Sequence, residues 1–116
     1  MKSYTNLEQG KKLAEILPLE SADMFLALNG HIPVMSKYID DGLVTADNTA
    51  IPCWSLAALL DILPKGTGII KEEADTENEH YMCTVEIKDD IISTFGNNPV
   101  DACYKMILKL HELNLF

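Results

Sequence analysis

The hydrophobic positions near the start of the chain repeat with helical spacing. Leu7, Leu13, Ile16 and Leu17 fall on one face, while Glu8, Lys11, Lys12 and Glu15 occupy the other. Thr5 and Glu8 form a T-x-x-E pattern, which predicts a capping box at the start of this first helix. Pro18 predicts its end, because proline pushes the residue before it out of helical geometry. Residues 22–28, "ADMFLAL", then read as a strand, "NGH" at 29–31 as a turn and 32–38 as a weaker strand. "IDDGLVTADNTAIP" at 39–52 reads mostly as loop.

The most apolar run, "IPCWSLAALLDILPKG" at 51–66, predicts a second helix. Ser55 suits its N-cap, and Trp54 and Leu59 then take the two positions of a hydrophobic staple. Pro52 as the first helical residue is the alternative start. Between residues 56 and 63 only Asp61 is polar, so burial nearly all round is expected, and Pro64 stops the helix. Strands follow at 67–73 and 80–88, joined by an acidic hairpin loop, with a short third strand at 91–95. Asn98, Pro99 and Asp101 then open a third helix that runs to the end of the chain, as cap, first-turn proline and first-turn acid.

That third helix is unusually broad in its apolar surface. Asp101, Lys105, Lys109 and Glu112 crowd one arc, opposite Cys103, Met106, Ile107, Leu110, Leu113 and Asn114. Tyr104, Leu108, His111 and Leu115 extend the apolar area beyond what one sheet face covers. They call for another helix, a second copy of the chain or a partner groove. The pattern as a whole predicts an α+β fold in a single domain, 1–116: a small antiparallel sheet of 4–5 strands with three helices packed mainly on one face. Leu13, Glu15, Ile16, Leu17 and Pro18 match Leu59, Asp61, Ile62, Leu63 and Pro64 at a constant offset of 46. Each copy precedes a strand pair, which suggests a duplicated α-β-β unit; convergence of two helices stopped by Leu-Pro is the alternative.

Composition narrows the function classes. A chain of 116 residues with 47% hydrophobic and 23% charged content can bury one core. No apolar run approaches the roughly 20 residues of a membrane span, and "MKSYTNLEQGKK" lacks the core of a secretory signal, so a cytoplasmic location is expected. Cys53, Cys83 and Cys103 are odd in number and widely spaced among apolar neighbours, which predicts reduced core thiols. The net charge is −9, and every basic residue is lysine. An acidic chain without arginine is poorly equipped to grip a phosphate backbone or an anionic membrane. Six of the nine excess charges lie in 71–90, where Glu72, Glu73, Asp75, Glu77 and Glu79 cluster. They read either as a solvated hairpin tip or as a surface presented to a basic partner.

Catalytic patterns are not found. "GTG" at 66–68 is not a phosphate-cradling loop, and no H-E-x-x-H or G-x-S-x-G occurs. His80 and Cys83 have an H-x-x-C spacing that on a strand points the two side chains to opposite faces. His31 and His111 have no nucleophile placed beside them. The sequence therefore predicts no catalytic, cofactor or metal residues.

"IPCWSLAALLDILP" and "FGNNPVDACYKMILKLHELNLF", with "LEQGKKLAEILPLESADM", resemble short proteins carried by bacteriophages and other mobile elements of gut bacteria. Those proteins similarly join a Trp-Ser-Leu-x-x-Leu-Leu helix to a strand pair and a C-terminal NPVDA-type helix. The likeness covers about two-thirds of the chain and departs from it at 30–50. No activity is attached to that group, so the resemblance implies a context and no site. The function expected is a non-catalytic interaction protein, binding a protein partner through the acidic hairpin or through Tyr104, Leu108, His111 and Leu115, with a homodimer as one form of it. A binder of a small, nucleotide-like ligand is the alternative, and a small enzyme a distant third.

Overall fold

A computed structural model describes residues 2–27, 32–35, 50–71 and 81–115. The chain divides into two compact units, Tyr4–Ala58 and Leu59–Phe116, the second joined by Met1–Ser3. Among the described residues the fold is α+β with three helices, as the pattern predicts, but in place of one sheet of 4–5 strands there are two antiparallel sheets of three strands each.

In the first unit α1 spans Leu7–Ala14, followed by a single 3₁₀ turn at Leu19–Ser21. The predicted capping box is displaced by one residue. Asn6 caps the helix, its side chain accepting from the Gln9 N–H at 2.9 Å while the Gln9 side chain accepts from the Asn6 N–H at 3.0 Å. Thr5 is fully buried and used elsewhere: its Oγ1 accepts from the Trp54 N–H, and its own N–H donates to the Trp54 carbonyl, both at 3.0 Å. A hydroxyl enclosed with a buried amide is held by the cost of leaving that amide unpaired. Leu13 and Leu17 are buried, Leu7 and Ile16 half-buried, and the four charged residues of the opposite face exposed. The helix ends ahead of Pro18.

Strands β1 (Met24–Ala27) and β2 (Ile32–Met35) fall where the sequence places them, whereas the turn at 29–31 lies outside the described residues. Part of the stretch read as loop is strand β3 (Ala50–Cys53), which pairs with β1 and gives the order β2-β1-β3. Pro52 therefore belongs to a strand and not to the next helix. Its proline hid the strand, yet the position is allowed because β3 lies at the sheet's edge, where one N–H is not needed. Pro33 sits in β2, the opposite edge, for the same reason. α1 packs against β3 so closely that Gly10 faces the Pro52 carbonyl.

Helix α2 (Leu56–Ile62) starts after Ser55, whose Oγ accepts from the Ala58 N–H at 3.2 Å, the predicted N-cap. Burial all round is not observed: Ala58, Leu59 and Leu63 are buried, but Ala57, Leu60 and Asp61 are exposed. Its apolar composition exceeds what a seven-residue helix at this position can hide.

In the second unit β4 (Gly68–Lys71), β5 (Tyr81–Ile87) and β6 (Asp90–Gly96) form a sheet of order β4-β5-β6. Helix α3 (Pro99–Glu112) packs across β5 and β6. Asn98 accepts from the Asp101 N–H at 2.8 Å and Pro99 opens the helix, both as predicted. Cys103, Met106, Ile107 and Leu110 are fully buried toward the core that Cys83 and Val85 share. Each large side chain there contributes roughly 1.5–3 kcal/mol by leaving water. Gly96 ends β6 where a methyl group would stand 2.6 Å from the Ala102 nitrogen, so strand and helix meet backbone to backbone. The sequence repeat is not a repeat of topology: the strand after α1 is central in its sheet, whereas the strand after α2 is an edge.

Candidate interaction surface

Trp54 and its neighbours are the first place to look for chemistry. The indole is fully buried, and its Nε1–H donates to Ser21 Oγ at 3.0 Å; the Ser21 hydroxyl in turn donates to the Pro18 carbonyl at 2.6 Å. The Asp23 carboxylate accepts from the Ser55 N–H at 2.9 Å and from the Ser55 hydroxyl. Because Ser55 Oγ also caps α2, its proton and its lone pair are both committed. The hydroxyl is held between the Asp23 carboxylate and the first turn of α2, which fixes where that helix begins. The cluster ties residues 18–23 to residues 54–58 within the first unit.

The three cysteines are free and buried, as expected for core thiols. Burial pushes Cys53 up to about 12, with the charge of Asp23 adding to the shift. Cys103 is raised by its hydrogen bond to Cys83, and further by burial. A raised thiol is a protonated and therefore unreactive one at neutral pH. It also has a consequence for stability. The fold favours the neutral Cys53 thiol, so its contribution is complete below the ordinary thiol pKa of 9.0 and is lost as pH rises through about 12. Urea unfolding across that interval should show stability falling more steeply for the natural chain than for Cys53→Ala. Parallel curves would show that burial of this thiol is not linked to folding.

The sequence-predicted partner residues meet different fates. Glu72, Glu73, Asp75, Glu77 and Glu79 lie outside the described residues. On α3, Tyr104 and Leu108 are half-buried and His111 is exposed, as is Leu115 beyond the helix end. Leu113 and Asn114, assigned to the core face, are instead exposed. The helix stops at Glu112, and Asn114 takes a left-handed conformation (φ 59°). The Leu115 N–H then returns to the Leu110 carbonyl at 2.8 Å and the Asn114 N–H to that of His111 at 3.0 Å. This is a Schellman ending, in which asparagine tolerates the αL position. It breaks the helical spacing that had placed Leu113 and Asn114 inside.

The ending creates a groove. Leu113, Leu115, Ile87, Ile91 and Ile92 line a space of about 520 Å³, with Lys88 and Asp90 beside it. Lys88, at φ 57°, forms the tight turn that brings β5 back as β6. Ile91 is 71% exposed, Leu113 45% and Leu115 44%. Sequence reasoning missed Ile91, although a signal was present. Adjacent residues of a strand point to opposite faces, so a helix that covers Ile92 leaves Ile91 to solvent. The groove offers an apolar floor with one charge of each sign, Lys88 and Asp90, beside it.

Among the described residues, no group of three or more His, Cys, Asp or Glu side chains is placed to hold a metal ion. No helix among them is long and apolar enough to cross a membrane. Compared with family models, curated proteins and solved structures, the chain shows no match in any of the three.

Proposed function

We infer that the chain is a non-catalytic protein-interaction protein of phage or mobile-element origin that acts in the cytoplasm on a protein partner. One observation carries this reading: the exposed apolar groove between the end of α3 and the β5–β6 turn. Large apolar side chains gathered at one exposed place, with polar groups at the rim, have the anatomy of a protein contact. Leu115, one of the residues predicted for partner binding, lines it. The acidic residues Glu72, Glu73, Asp75, Glu77 and Glu79 would attract a basic partner and speed its approach.

The small-ligand alternative is favoured by the groove's volume, which lies in the range of roughly 300–1,000 Å³ usual for such sites. Its lining argues the other way. Among the described residues that line it, Lys88 is the one cation and none is aromatic, so a base would find no ring to stack on.

Affinity capture from the natural host tests the reading, using the unaltered chain, Leu113→Glu with Leu115→Glu, and Glu72, Glu73 and Glu79 reversed to lysine. A partner held by the unaltered chain should be lost with the double leucine variant and weakened by the reversals. Capture undiminished in both variants would overturn the proposal. A melting shift with nucleotides, in place of a protein partner, would transfer the site to the ligand reading.

A further inference from the structure

The two edges of the first sheet are guarded and one edge of the second is not. β2 and β3 each carry a proline, which withdraws an N–H from anything that approaches. β4 is short, four residues ending in Lys71. β6 is seven residues long, contains neither proline nor lysine, and among the described residues no strand pairs with its outer side. Long apolar edges of this kind are templates for another strand.

The residue pattern of β6 selects the partner. Its register against β5 puts Ile91, Ser93 and Phe95 on the face away from α3, and all three are exposed. Phe95 continues a cross-strand row with Met82 and Ile70, the latter 49% exposed. We propose that β6 pairs antiparallel with β6 of a second copy about a two-fold axis through Ser93, making one six-stranded sheet from two chains. A two-fold perpendicular to the sheet keeps outer residues opposite outer residues. Centred on Ser93, it sets Ile91 against the Phe95 of the second copy and the reverse, Ile92 against Thr94, and Asp90 against Gly96. Centred on Ile92, it would set Phe95 against the charged Asp89; centred on Thr94, it would set Ile91 against Asn97. The Ser93 register alone joins apolar to apolar on both sides of the axis.

Charge permits it. Each chain carries −9, but Asp90 is the one charged residue of β6. In this register the two Asp90 side chains lie at opposite ends of the paired strands, about 20 Å apart at roughly 3.3 Å per residue. That is about two and a half times the screening length of roughly 8 Å at physiological salt. An isologous contact of this form closes on itself and produces a dimer, not a fibre.

Ile91 lines both the groove and the proposed dimer edge, so the test uses Phe95 and Ser93, which lie outside the groove. Sedimentation across a broad concentration range should show the natural chain passing from monomer to dimer, and Phe95→Lys remaining monomeric with unchanged circular dichroism. Mild oxidation of Ser93→Cys should give a cross-linked dimer, because residues directly opposite across a strand pair stand about 4.5–5.5 Å apart at Cβ. The natural thiols are all buried and should not contribute. The same oxidation of Leu115→Cys should leave monomers. A natural chain that stays monomeric overturns the proposal. So does a dimer that cross-links through Leu115→Cys and not Ser93→Cys, which would place the contact at the end of α3. If Phe95→Lys fails to fold, the two cross-linking variants decide alone.

Discussion

Gly10→Ala should destabilise the first unit by about 3 kcal/mol, although by intrinsic propensity alanine is better in a helix by about 1 kcal/mol. The two effects have opposite signs, and geometry decides between them. A methyl group on Gly10 would stand 2.3 Å from the Pro52 carbonyl oxygen and 3.3 Å from Ile51 Cγ2. The obstacle is backbone of a paired strand, which cannot turn aside as a side chain tip does. Relief requires α1 to lift from β3, and that opens the cover over Leu13 and Leu17, both buried. Urea unfolding of Gly10→Ala beside Lys11→Ala, an exposed neighbour on the same helix, separates packing from propensity. Lys11→Ala should be close to neutral. If Gly10→Ala matched or exceeded the natural chain in stability, the close approach of α1 to β3 would be wrong.

Gly10 illustrates why parts of the fold were legible and parts were not. Signals that act over three or four residues were read well: the Asn98–Pro99–Asp101 start of α3, the Ser55 cap of α2 and the strands at β1, β5 and β6. The cap of α1 was misplaced by one residue because Thr5 and Asn6 both satisfy the local pattern. What separates them is the Trp54 amide, 49 residues away. β3 was missed because Pro52 reads as a break, and only its pairing with β1 shows that its missing N–H lies where none is needed. The division into two sheets is likewise a matter of which strands meet, and strand periodicity carries no record of partners.

For the candidate site the limit was the end of α3. Helical spacing correctly put Cys103, Met106, Ile107 and Leu110 inside, and failed at Leu113 only because the helix had already stopped. "ELNLF" contains the signal in principle, since asparagine is the residue that best replaces glycine at a left-handed helix end. The exposure of Ile91 depended on a long-range fact, that α3 covers the other face of β6. Tyr104 and Leu108, half-buried, are satisfied in part by the fold itself, which moves the exposed apolar surface toward Leu113 and Leu115.

Trp54→Ala is expected to remove about 3–5 kcal/mol, the range for deleting a large aromatic from a core. Against a total of about 5–15 kcal/mol for a domain of ordinary stability, that is enough to unfold a large share of the molecules. Volume is only part of the loss. The indole holds Ser21 in the turn before β1, and the Trp54 backbone exchanges two hydrogen bonds with Thr5, so one residue ties the chain start and the Leu19–Ser21 turn to the entry of α2. Ser21→Ala tests the polar part separately. It keeps the packing but leaves the buried Nε1–H without its acceptor, at about 1–3 kcal/mol. Trp54 is the lone tryptophan, so its fluorescence follows unfolding of Ser21→Ala directly, while circular dichroism serves for Trp54→Ala. The order of stability should be natural chain, then Ser21→Ala, then Trp54→Ala. A Trp54→Ala protein within about 1 kcal/mol of the natural chain would remove the indole from the core of the first unit, since no fully packed aromatic is lost so cheaply. The region would then have to be reconsidered as a site, because a buried tryptophan that contributes nothing to stability must be retained for something else.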